Sequence, residues 1–206
     1  MMQPLLRLLK HALAGLFILF FTNHQYAQPM EITDATTPPI TPENLISNIF
    51  LGDGVEVIDV TFEGDPLSVG YFKNGQNAVG IERGIVMTSG RATGINCNIP
   101  DQSGANCNGG QFASTDNGSS ASDPDLSAIA AGGLSVFDVA KFTITFIPTS
   151  DTLRFKYVFA SEEYPEYACS PFNDVFGFFI SGPGLNGPYQ NNGTNIALIP
   201  GTTTPV

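Results

Sequence analysis

Tryptophan is absent from this 206-residue chain, and both of its histidines, His11 and His24, stand within the first 27 residues. If that stretch is a removable leader, the remaining chain holds no imidazole. Ser-His-Asp and Cys-His nucleophiles and His-ligated zinc are then excluded. Bases are scarce as well: 8 Lys+Arg against 19 Asp+Glu give a formal charge of −11, which argues against nucleic acid and anionic membrane as partners. No hydrophobic run approaches the roughly 20 residues that a membrane span needs. Charged residues make up 13% and hydrophobic residues 42%, a globular balance rather than a disordered one. What is abundant is Gly (22), Pro (15) and Phe (16), a composition of tight turns between short apolar runs. It points to an all-β protein.

The first 27 residues have the organisation of a secretory leader. Arg7 and Lys10 precede an uncharged apolar run over residues 12–21, and a short polar stretch ends at Ala27. Cleavage after Ala27 leaves 6 bases against 19 acids, a charge of −13. No transmembrane segment is expected in the mature chain, and export permits disulfides. Cys97 and Cys107 enclose nine residues of Asn, Gly, Ser, Asp, Pro, Ile, Gln and Ala, so a local bridge between them is expected. A loop that short limits its entropic contribution to about 2–3 kcal/mol. Cys169 is then odd, either free or partnered outside the chain.

Residues 28–40 read as an extended lead-in. Thr41-Pro42 reads as a helix N-cap followed by proline at the first helical position, with Leu45, Ile46, Ile49 and Phe50 on one face and Gly52 at the end. From there the period changes to two. Strands are expected at 55–62, 67–73, 78–81, 85–88, 137–147, 152–160, 175–181 and 195–199. Phe142, Ile144 and Phe146 alternate with polar residues, as do Leu153, Phe155, Tyr157 and Phe159, and Pro148-Thr149-Ser150-Asp151 between them reads as the turn of an antiparallel hairpin. The alternation slips phase near Val57-Ile58, the mark of a bulge or of a strand passing between sheets. Residues 175–180 are apolar on both faces and are expected at the centre of the fold. Without a helix long enough to cover a sheet, the sheets must cover each other. The expected architecture is an antiparallel β-sandwich, jelly-roll-like, with one short N-terminal helix and a long loop over residues 91–133 in which 127–131 form a helical turn.

Two clusters carry the chemistry: residues 159–167, FASEEYPEY, and residues 172–180, FNDVFGFFI. The longer pattern FASEEYPEYACSPFNDVFGFFISGPG, followed by NIALIPGTTTPV and preceded in order by GIVMTSG (84–90) and SDPDL (122–126), resembles the choice-of-anchor L domain of bacterial exported proteins. The resemblance covers most of residues 43–206 and implies a secreted or outer-surface module with no assigned biochemical activity. The module is expected over 41–206, incomplete at its C-terminal end, with an anchor or sorting tail beyond Val206.

Glu162, Glu163 and Glu166 follow one expected strand and Asp174 precedes another. If those strands are neighbours, their carboxylates converge, and like charges so close are costly unless neutralised. Calcium neutralises them with six to eight oxygens, so Ca2+ is the expected cofactor, on Asp123, Asp125, Glu162, Glu163 and Asp174. The plainer alternative is that Glu162 and Glu163 cap backbone amides or pair with Arg154 and Lys156. Asp123-Pro-Asp125-Leu-Ser127 lacks the glycine and closing glutamate of an EF-hand. The expected function is a non-enzymatic adhesion or recognition module with a surface glycan or protein as ligand. Its alternatives are a carbohydrate-active enzyme using paired carboxylates and a passive spacer domain. Tyr157, Tyr164, Tyr167 and Phe172 are candidates for stacking on a sugar, though aromatics at strand spacing are more often core. Asn117-Gly118-Ser119 and Asn192-Gly193-Thr194 read as turns.

Overall fold

A computed structural model of the chain describes residues 29–52, 54–95, 119, 121–130, 135–160 and 174–206. Three antiparallel sheets and a few one-turn helices make up the described residues. The first sheet holds β1 (Glu31–Asp34), β3 (Val69–Lys73) and β4 (Gly84–Met87) in the order β1-β3-β4. The second pairs β2 (Val55–Glu63) with β5 (Lys141–Pro148), and the third pairs β6 (Phe179–Ile180) with β7 (Thr194–Asn195).

Local chemistry explains where the helices start. Thr41 is extended, its side chain accepts from the Asn44 N–H, and Pro42 opens α1 (Pro42–Leu45). The turn continues through residues 46–50 with the wider π spacing, and Leu51 returns to extended backbone. The expected apolar face is the buried one, with Leu45 and Ile46 fully enclosed. The same cap-then-proline pair recurs at Asp65-Pro66, which starts a short 3-10 turn, and at Asp123-Pro124, which starts α3 (Pro124–Ile129). Proline suits the first helical position because its missing N–H would have no intrahelical partner there.

The β2–β5 ladder follows from alternation, and the phase slip is real. Val57 opposes Phe146 and Asp59 opposes Thr145, so Ile58 is the extra residue of a bulge. It stands 56% exposed. The bulge keeps Val55, Val57, Val60 and Phe62 on one half-buried face, opposite Phe142, Ile144 and Phe146. Phe62 and Phe142, with ring centroids 4.9 Å apart, then meet the first sheet at a cluster built on Ala35, Leu45 and Val69. On the opposite face of the first sheet, Ile32, Phe72 and Ala92 form a second cluster. Enclosing each large side chain in these clusters contributes about 1.5–3 kcal/mol.

Several expectations need correction. Residues 78–81 are not a strand: α2 (Gln76–Val79) occupies the site, started after Asn74 (φ 58) and closed by left-handed Gly80 (φ 72). Two positive-φ residues six apart suit a helical turn better than an extended run. The lead-in contributes a strand, since β1 pairs with β3 from Glu31↔Lys73 to Asp34↔Gly70. Gly70 permits that pairing: a Cβ there would fall 2.5 Å from the Thr33 carbonyl oxygen. The hairpin of 142–146 with 153–159 does not form. β5 takes β2 as its partner along its whole length, and Thr149 donates to Gly54 across that sheet instead of closing a tight turn. Residues 152–160 belong to no helix or ladder, Phe137 lies outside β5 and is exposed, and of 175–181 and 195–199 only the β6 and β7 residues form a ladder, with Leu198 in an isolated bridge to Pro205. The antiparallel all-β character therefore stands. The described sheets, however, do not close into a sandwich or jelly roll, because the two runs that would supply further strands meet through rings rather than backbone bonds.

Candidate functional site

Asp123 is held where the loop enters α3. Its Oδ1 accepts the N–H groups of Asp125 and Leu126, both at 2.9 Å, and its carbonyl accepts from the Ser127 hydroxyl at 2.9 Å. Its Oδ2 lies 3.3 Å from Lys141 Nζ, and the same ammonium is 2.9 Å from Glu63 Oε1. Glu63 and Lys141 face each other as the last pair of the β2–β5 ladder. Lys141 thus clamps the long loop to the end of the second sheet. Partial burial works against the charged ammonium, but hydrogen bonds and charges from Glu63 and Asp123 outweigh it, and the Lys141 pKa lies above the ordinary lysine value. An Asp so enclosed, 4% exposed, is stable only because its oxygens are occupied by donors.

Asp125, two residues on, accepts from the backbone N–H of Gln190 at 3.1 Å and from its side-chain amide at 3.3 Å, joining residues 65 apart in sequence. Gln190 belongs to a 3-10 turn, Gln190–Asn192, in which Asn191 and Asn192 have positive φ, so the turn expected at Asn192-Gly193-Thr194 lies two residues earlier, with Gly193 bridged to Tyr189 and Thr194 already in β7. α3 also packs on the run that leads to β6: a Cβ at Gly177 would lie 3.1 Å from Leu126 Cδ2. Beyond it, Asn195 is buried, its Oδ1 accepting from Phe178 N at 3.1 Å and Ala197 N at 3.0 Å.

An aromatic row joins the two runs that flank the acidic segment. Phe155 stacks on Phe178 with centroids 4.3 Å apart, Tyr157 lies 5.5 Å from Phe176, and Phe159 lies 6.4 Å from the same ring. From Phe155–Phe178 to Tyr157–Phe176 the contacts step forward in one run and backward in the other, so the runs are antiparallel neighbours. The end of 152–160 and the start of 174–178 therefore come together.

The individual acids fare differently. Asp174 sits at that junction. Glu162, Glu163 and Glu166 lie outside the described residues, as do Tyr164, Tyr167, Phe172 and the three cysteines. Asp123 and Asp125 are bound to protein partners, and among the described residues no three His, Cys, Asp or Glu side chains gather as a metal site. Lys141, Gln190 and Asn195 went unnoticed in the sequence. Each acts through a contact far along the chain, and only the Asp-Pro pair at 123–124 carried a local mark of its capping role.

No helix among the described residues is long and apolar enough to cross a membrane. No curated protein and no solved structure gives a significant match. The sequence profile of the choice-of-anchor L domain matches residues 33–206, from within β1 through the last described residue. A match over that extent, reaching all three sheets, the capped loop and the aromatic row, makes this chain a member of the choice-of-anchor L domain family of surface-protein modules.

Proposed function

We infer that the chain is a non-enzymatic module of an exported surface protein and serves attachment or recognition. The observation that carries this reading is family membership across residues 33–206. It is supported by the leader-like first 27 residues and by the lack of any histidine after His24. The residues whose geometry is best defined, Asp123, Lys141 and Glu63, hold elements together and present no free proton donor or nucleophile.

Calcium enters this proposal in a narrowed form. Asp123 and Asp125 are engaged by backbone amides, Lys141 and Gln190, so Glu162, Glu163 and Asp174 are the acids of the sequence reading that remain as candidate ligands. The ion's chemistry would be charge neutralisation.

Display is tested on intact cells expressing the full-length protein with an epitope placed after residue 40. External protease is expected to remove the epitope before lysis. Protection until lysis would overturn surface placement. A polysaccharide panel gives the second test, with no turnover expected. Sugar release abolished by Glu163→Gln or Asp174→Asn would replace the attachment reading with an enzymatic one.

A further inference from the structure

The run over residues 152–160 is mostly exposed and outside every ladder. From 153 to 160 no backbone N–H or C=O has a backbone partner among the described residues. The run is nonetheless held in a strand-like form, because Phe155 and Tyr157 rest on Phe178 and Phe176. Period two then turns Arg154, Lys156 and Val158 to the opposite face, where all three are exposed. Neither base is ion-paired among the described residues, whereas Lys73 and Lys141 both are. An ordered, extended backbone with open hydrogen-bonding groups is a template for another strand.

Charge decides which strand. Antiparallel pairing with a second copy through the same run would set Arg154 and Lys156 against their own counterparts, and like charges facing across a ladder are destabilising. Carboxylates at alternate positions meet both bases at once. The chain's overall charge of −11 opposes an acidic partner at long range. At physiological salt the screening length is about 8 Å, so contact pairs persist while the long-range repulsion is damped.

We propose that residues 152–160 form a strand-addition edge that takes an extended acidic segment of another protein, with carboxylates two residues apart opposite Arg154 and Lys156 and apolar side chains over the aromatic row. This deepens the recognition reading by giving the partner a chemistry. It is measured on purified protein, so its failure leaves cell-surface display untouched, and a failure of display leaves peptide binding to be judged by itself.

The probe is a fluorescein-labelled synthetic nonapeptide of alternating Glu and Val, compared with its Lys/Val counterpart by anisotropy at 0.15 M salt on the full chain. The Glu peptide is expected to bind about tenfold more tightly. The double variant Arg154→Glu/Lys156→Glu, on an exposed face, should reverse the preference, and its fold is checked by circular dichroism. If that variant fails to fold, Arg154→Gln/Lys156→Gln should abolish the preference instead. N-methylation of the peptide's alternate amides should abolish binding, because strand addition requires their N–H groups. Equal affinity for the two peptides, indifference to N-methylation, or a homodimer that buries this run in sedimentation would each overturn the proposal.

Discussion

Asp123 shows how much one carboxylate can do when three donors reach it. Replacing it with Ala removes the cap of α3 and one partner of Lys141, and an expected loss of about 2 kcal/mol is read by urea unfolding. Asp123→Asn keeps an oxygen for the cap and should lose about half as much. Lys141 adds a pH signature with a definite sign. Its folded pKa lies above the ordinary value of 10.5, so the stabilisation is fully present below pH 10.5 and is lost as pH rises through the higher folded value. Thermal unfolding of the wild type should decline in that alkaline window, and the decline should be shallower in Lys141→Met. Lys73 is shifted in the same direction by its hydrogen bond to Glu31, but that pair is exposed, and Lys73→Met should leave the midpoint unchanged. The capping role of Asp123 went unread: the helical turn expected at 127–131 starts instead at Pro124, where Asp-Pro carries the same local mark as Thr41-Pro42. Its contact with Lys141 was not, since no local pattern announces a partner 18 residues away.

Among the elements, the bulge in β2 makes an unusual prediction. Deleting Ile58 leaves Val57, Asp59, Val60, Thr61 and Phe62 in regular alternation, with the register to β5 unchanged on either side. Stability should change by no more than about 0.5 kcal/mol, as for an exposed position. Deleting Thr61 instead forces Val60 or Phe62 out of the shared cluster and should cost about 3 kcal/mol or more. Chemical denaturation of the two deletions side by side settles it, and similar losses would sink the bulge assignment. The phase slip was visible in the sequence because alternation is a local property. The failed hairpin was not, because 152–160 has as regular an alternation as β2. What separates them is that β2, bulge included, offers eight matched positions to β5, and the aromatic row fixes 152–160 elsewhere.

For the whole molecule, the question is whether the junction of the two aromatic runs needs a cation. Unfolding midpoints measured with added calcium and with EDTA give the answer. A midpoint raised by calcium, by an amount that grows with its concentration, supports the ion, because only folded-state binding produces that dependence. An unchanged midpoint removes calcium from the proposal and leaves the surface-module reading intact. The same junction bears on recognition, since the row that aligns 152–160 with 174–178 also keeps the open backbone edge extended.

By itself the sequence determined the β class, the capped start at Thr41-Pro42, the bulge and the family. Each is written in short-range terms: which residues alternate, which residue precedes a proline, which string of residues recurs. Only the tertiary structure decided that β5 pairs with β2, that Glu31–Asp34 is a strand, and that Asp123 is a clamp whose oxygens are taken. The reason is that alternation specifies which face is buried but not which strand lies alongside. Backbone hydrogen bonds are the same for every partner, so the choice falls to side chains that meet only once the chain has folded.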